Sequence, residues 1–185
     1  MPALAVWTPE DGLLGALAPL GLALASPDPT LVIDLDEGGP RYPGEASLAS
    51  LVEQSPRLAD LQPGRSGTAV LRNGGVGATA ASEVVESLLQ NWARVVLRLP
   101  PRRRVVVPTP VVPVRLLLPG SLFEPWDAPT VLQATPASGR LSGFGIRLPV
   151  PARTTVAALL RGEAPVPGDR WVGAWRRVWE APWGR

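Results

Sequence analysis

Short apolar segments alternate along the chain with segments of helical periodicity, and this alternation constrains the fold more than any other feature. Residues 30–35 (TLVIDL) and 94–99 (RVVLRL) are typical of buried strands, while residues 82–92 carry one apolar face at helical spacing. Strands that alternate with helices predict a mostly parallel sheet with helices on both faces. We therefore expect an α/β fold in a single domain covering residues 1–185.

The remaining elements are predicted in the same way. Further strands are expected at residues 3–8, 68–72, 114–118, 130–134 and 145–148, and further helices at residues 13–25, 48–54, 154–161 and 170–180. Pro19 is expected to kink or restart the first helix, because proline removes a helical hydrogen bond. The proline-rich residues 100–113 are expected to run along the sheet edge, and residues 58–67 to form a polar loop.

The apolar run at residues 13–25 ends in Ala-Leu-Ala and resembles a signal peptide at first sight. However, no basic residue precedes it, and Glu10 and Asp11 stand where a signal peptide carries positive charge. The run is also shorter than the roughly 20 residues that a membrane span needs. We therefore predict a buried helix in a cytoplasmic protein.

The chain lacks three residue types that carry much of enzyme chemistry. It has no His and no Cys, and all 18 of its basic residues are Arg. These absences exclude an ordinary zinc site, a Ser-His-Asp triad, a thiol nucleophile, a Schiff base and a phosphate-binding lysine. The composition therefore disfavours an enzyme, and its richness in Arg, Ala, Gly and Pro suggests a GC-rich bacterial genome.

The order of the first elements resembles the MinD/ParA family of P-loop ATPases. A strand, a glycine turn and an apolar helix are followed by LVIDLDEGG at residues 31–39, which places Asp34 and Asp36 as the Asp-x-Asp pair of that family. Residues 94–101 (RVVLRLPP) resemble its switch strand, and residues 146–165 its late strand, turn and helix. The resemblance implies a shortened P-loop-like α/β fold over most of the chain.

The match to the family's phosphate loop is poor in this chain. Only Gly12 fits, because Thr8 and Leu13 stand where the family has lysines and Leu14 replaces the metal-binding Thr. Arg98 likewise replaces the switch Asp. The resemblance therefore implies a pseudo-ATPase, for which we expect no cofactor and no metal.

The acidic residues near this remnant support the same interpretation. Glu10 and Asp11 would face the phosphates at a helix N-terminus, where anions normally bind, and would repel them. Without a phosphate cradle, Asp34 and Asp36 are expected to cap a turn or to pair with Arg.

A second glycine-rich segment, residues 73–79 (NGGVGAT), also resembles the family's phosphate loop, with Asn73 and Ala78 in place of its lysines. Its backbone N–H groups could form an anion nest. The candidate residues are Gly74, Gly75, Gly77 and Thr79. The alternative, which we favour, is a simple glycine-rich turn.

The C-terminal helix places Trp171, Trp175 and Trp179 on one face, with Asp169 as its N-cap. This stripe could dock on a partner protein or lie on a membrane surface. The interpretation that we favour is that the stripe packs against the sheet, since an aromatic stripe at helical spacing is usually core.

The run of Arg102, Arg103 and Arg104 is a candidate basic patch for nucleic acid or an acidic partner. No aromatic residue interrupts the run to stack on bases. We therefore disfavour nucleic acid as a partner and favour a solvated turn.

Together, the resemblance and the lost phosphate loop predict a non-catalytic scaffold or partner-binding subunit. The expected setting is the positioning or assembly of a membrane-associated machine of the pilus, secretion or division type, at the cytoplasmic side of the membrane. The expected partner is a protein, either a second copy or an active ParA/MinD-like or secretion ATPase. The alternatives are a nucleotide-binding switch without hydrolysis, and a module that binds DNA or an acidic partner.

Overall fold

Seven parallel strands form one sheet in the computed structural model, which describes residues 3–10, 12–54, 67–102, 105–118, 129–139 and 145–184. The order of these described strands across the sheet is β3-β2-β4-β1-β5-β6-β7. The strands are β1 Ala3–Trp7, β2 Thr30–Asp34, β3 Thr68–Leu71, β4 Arg94–Arg98, β5 Val111–Leu117, β6 Val131–Ala134 and β7 Ile146–Leu148. The helices are α1 Leu13–Leu24, α2 Leu48–Gln54, α3 Ser82–Asn91, α4 Arg153–Leu160, α5 Arg170–Ala174 and α6 Arg176–Glu180.

Alternate side chains of the strands pack into two separate hydrophobic cores, one on each face of the sheet. Leu4 and Val6 pack with α1, α4, α5 and α6 on one face of the sheet. Ala3 and Ala5 pack with α2 and α3 on the other face. This is the period-two alternation that a sheet buried on both faces requires. The predicted α/β fold, a parallel sheet with helices on both faces, is therefore confirmed.

The chain adds its strands to one side of β1 first and to the other side afterwards, so the strand order reverses at β1. Strands β2, β3 and β4 lie on one side of it, and β5, β6 and β7 lie on the other. Because all the strands are parallel, their carboxyl ends meet at one edge, which is where open α/β sheets bind their ligands. The segments that follow β1, β2 and β4 meet at this edge.

The proline predictions were wrong in part. Pro19 does not restart the first helix, since α1 continues through it as one helix; most of its length is buried, and packing outweighs the lost hydrogen bond. Strand β5 begins at Val111 in the interior of the sheet, with Pro113 opposite Trp7, although residues 100–113 were expected at an edge. Burial of the valines beside Pro113 outweighs its missing donor. Most of the predicted loop at residues 58–67 lies outside the described residues.

The tryptophan stripe is part of the core, which corrects its candidacy as a docking surface. The predicted helix at residues 170–180 forms as α5 and α6, separated at Trp175, and Asp169 caps α5 through Oδ1. Trp171 and Trp175 are buried, with their rings edge to face at 5.5 Å. Trp179 is half-buried, and its Nε1 donates to the carbonyl of Leu22. The apolar face of the stripe therefore meets α1 instead of solvent.

We predict that Gly21→Ala destabilises the protein by about 1–3 kcal/mol, because overpacking a filled core forces side chains off their rotamers. A Cβ at Gly21 would lie 2.5 Å from both Trp171 and Trp175. Gly173→Ala is the matched control, since that helical glycine has open space around it. Urea unfolding should show the loss for Gly21→Ala alone, and equal midpoints for the two variants would contradict the packing described.

Candidate functional site

The two strand-end acids turn the chain at the carboxyl edge of the sheet. Asp34 is the last residue of β2, and its Oδ1 accepts a hydrogen bond from the N–H of Asp36 at 3.0 Å. Oδ1 of Asp36 accepts in turn from the N–H of Gly38 at 3.2 Å. Aspartates stabilise turns in this way. Both side chains are buried.

Arg98 reaches both acids from the neighbouring strand. It ends β4 directly beside Asp34 in the register, and its side chain is only 2% exposed. Nη1 lies 3.2 Å from Oδ2 of Asp34, and Nη2 lies 2.7 Å from Oδ2 of Asp36. Nη1 also donates to the carbonyl of Pro40 at 2.7 Å, and the ring of Tyr42 lies 5.2 Å from the guanidinium carbon. We call these five residues the Arg98 cluster.

The Arg98 cluster leaves no carboxylate oxygen of the acid pair without a partner. Each Oδ1 accepts from a backbone N–H, and each Oδ2 accepts from the guanidinium of Arg98. The expectation that Asp34 and Asp36 cap a turn and pair with Arg therefore agrees with the structure. A cation could enter this position only by displacing the guanidinium. Among the described residues, no group of three acidic side chains offers another metal site.

Burial sets the electrostatics of the Arg98 cluster. Desolvation raises the pKa of Asp34 to about 6, against the opposing attraction of Arg98. Burial also raises the pKa of Tyr42, whose hydroxyl donates to the carbonyl of Ala16 in α1 at 2.8 Å. The cluster therefore joins β2 to β4 through charges that are shielded from water, and Tyr42 joins it to α1 through a hydrogen bond.

A second buried arginine neutralises the segment after β1. Strand β5 extends beyond the end of β1, and Nε of Arg115 on this extension lies 3.4 Å from Oε1 of Glu10. Burial raises the pKa of Glu10, whose Oε2 has no hydrogen-bond partner among the described residues. Gly12 precedes α1 with a φ of 87° and provides no side-chain cap. Asp11 lies outside the described residues.

The second glycine-rich segment forms a turn around its own asparagine. Oδ1 of Asn73 accepts from the N–H groups of Gly75 and Val76 at 2.7 and 3.0 Å, and its Nδ2 donates to the carbonyl of Val76 at 2.9 Å. Gly74 and Gly75 have positive φ values, which glycine adopts without strain. Because Asn73 occupies the N–H group of Gly75, a candidate residue of the anion nest, and that of Val76 beside it, the geometry favours the glycine-rich turn.

A crevice of about 1110 Å³ lies between the turns at the carboxyl edge. Its walls are residues 35–39, residues 77–80 with Ser82, and the segment after β4, so it brings Asp36, Gly77, Thr79 and Arg102 to one opening. Gly12 is not among the residues that line it. Arg103 and Arg104 lie outside the described residues, so the predicted basic patch is described only at Arg102.

Neither the Glu10–Arg115 pair nor Tyr42 was predicted from the sequence. A usable signal existed for Arg115, which is the single charge within the apolar strand β5. A buried arginine is retained only with acidic or carbonyl partners. The sequence gives no comparable indication for Tyr42. It comes to lie beside Arg98 only because the loop between β2 and α2 folds back over the sheet edge.

The sequence matches no protein-family model, and no curated protein is significantly similar to it. Within the described residues, none of the helices has the length and apolar character that crossing a membrane requires.

We predict that the free energy of unfolding falls between pH 4 and pH 7 by up to about 3 kcal/mol through Asp34 alone. The folded state holds this proton up to a pKa of about 6, whereas the ordinary pKa of an Asp carboxyl is 3.8, so acid favours the folded state through this group. Asp34→Asn removes the titration and should flatten this part of the profile. Urea unfolding across the pH range measures it, and parallel profiles for the two proteins would contradict the prediction.

Proposed function

We propose that this protein is a non-catalytic, MinD/ParA-like scaffold or partner-binding subunit. It would help to position or assemble a membrane-associated machine of the pilus, secretion or division type, from the cytoplasmic side of the membrane. The expected partner is a protein, either a second copy or an active ParA/MinD-like or secretion ATPase. No step of catalysis is assigned to its residues.

The observation that carries this proposal is the guanidinium of Arg98 between Asp34 and Asp36. In the MinD/ParA family, which this chain resembles, the acid pair serves the metal and the attacking water. In this protein both carboxylates are bound to an internal cation, the guanidinium of Arg98. The pairing of Glu10 with Arg115 and the absence of lysine from the whole chain support the same conclusion. With its carboxylates held by internal cations, this site is suited to binding a partner more than to a reaction cycle.

A nucleotide-binding switch without hydrolysis is the second candidate. It is favoured by the crevice of about 1110 Å³, which has room for a nucleotide and whose lining includes Gly77, Thr79 and Arg102. Arg102 is the only side-chain cation among the described lining residues, and Asp36 and Glu37 share the wall. The electrostatics therefore favour the scaffold over the switch.

We expect no change in the thermal unfolding midpoint when Mg·ATP or Mg·ADP is added, compared with Mg²⁺ alone. A nucleotide at 100 times its dissociation constant would add about 2.7 kcal/mol, which is roughly 5–10 °C for a domain of this size. A shift of that size would contradict the scaffold and support the switch. Arg102→Gln, which leaves the Arg98 cluster intact, would then show whether the crevice holds the nucleotide.

The proposal also predicts a protein partner. Native affinity purification from the source cells, followed by mass spectrometry, should identify a stable partner protein. If the partner is a second copy, light scattering of the purified chain should show self-association. A monomer that binds no protein and no nucleotide would contradict both candidate functions.

A further inference from the structure

The segment between β2 and α2 crosses the carboxyl edge of the sheet with little backbone anchoring. In the described part of the chain, residues 36–46 make no backbone–backbone hydrogen bond, whereas Leu35 and Leu48 on either side each donate one. We call residues 36–42 the strap. Its exposed residues are Glu37, Gly38, Pro40 and Arg41.

Side-chain contacts that converge on Arg98 hold the strap down. Asp36 pairs with Nη2, the carbonyl of Pro40 accepts from Nη1, and the ring of Tyr42 faces the guanidinium. The second anchor of Tyr42 is its hydrogen bond to Ala16. If the guanidinium of Arg98 moved away, the strap would therefore lose its ion pair at Asp36 and its hydrogen bond at the carbonyl of Pro40 together.

We propose that the strap is a lid with one electrostatic latch, Arg98, and that it opens as a unit while the sheet stays folded. Residues 36–39 of the strap form part of one wall of the crevice at the carboxyl edge, so opening widens that crevice. This inference uses the contacts of Arg98 that also support the proposed function, but it concerns the motion of the strap and not the identity of a partner.

Two adjacent glycines give a matched test of the latch. A Cβ at Gly39 would overlap Nη2 of Arg98 and Oδ2 of Asp36, whereas a Cβ at Gly38 would meet no atom within 4 Å. Neither glycine has a positive φ, so the two substitutions differ in this contact and not in backbone strain. Gly39→Ala should therefore disturb the latch, and Gly38→Ala should leave it intact.

Limited trypsin digestion followed by mass spectrometry measures how often the strap opens, through the rate of cleavage after Arg41. The bond after Arg41 lies within the strap, beside the buried Tyr42, while the bond after Arg115 lies inside β5 and is cut only on global unfolding. We expect Gly39→Ala to raise cleavage after Arg41 about tenfold or more over wild type, since cleavage follows the open population. Cleavage after Arg115 should stay slow, and Gly38→Ala should match wild type.

The latch would be overturned if Gly39→Ala were cut after Arg41 no faster than wild type. It would also be overturned if cleavage after Arg41 and Arg115 rose together, because the strap would then open only with the whole fold. Should Gly39→Ala fail to fold, Arg98→Lys provides a second variant, since it keeps the charge but loses the planar fork. Faster cleavage after Arg41 than in the control Arg94→Lys would support the latch, and equal cleavage would overturn it.

Discussion

The buried guanidinium of Arg98 is the constraint on which the carboxyl edge of this sheet depends. Removing a charge from water costs several kcal/mol, which only close ion pairs and hydrogen bonds offset. Arg98 obtains them from Asp34 beside it in the register, from Asp36 and from the carbonyl of Pro40. The loop after β2 must therefore fold back over β4, and its closest approach leaves room only for the hydrogen of Gly39.

The same principle operates at the neighbouring turn. Arg115 lies on the part of β5 that extends beyond β1, where it meets Glu10. Both arginines thus project from strands of the sheet towards acids in the segments that follow β1 and β2. An edge that would otherwise present carboxylates to a ligand is filled by the chain's own cations. Buried pairs of this kind are weak evidence for added stability, because apolar replacements often stabilise a protein as well or better.

Much of the fold could be predicted because most of the buried strands are short apolar runs bounded by Gly or Pro. The features that could not be predicted depend on contacts between distant elements. Periodicity showed that Trp171 and Trp175 share a face, but it did not show whether that face meets the core, since this depends on the position of α1. Likewise, the acids were expected to pair with Arg, yet the partner Arg98 depends on β2 and β4 being neighbours. A single sequence does not fix that strand order.

The acid pair has a structural reason to be present that involves no nucleotide. Replacing Asp34 or Asp36 would leave the buried Arg98 with fewer partners, which is among the costlier changes in a protein interior. The Asp-x-Asp pattern is the residue pattern in this chain that most suggests a P-loop ATPase. In this structure the need of the buried Arg98 for acidic partners is enough to account for it. Its presence therefore does not count by itself as support for a nucleotide site. The segment before α1 gives no such support either, since Thr8, Gly12 and Leu13 provide no phosphate-binding lysine.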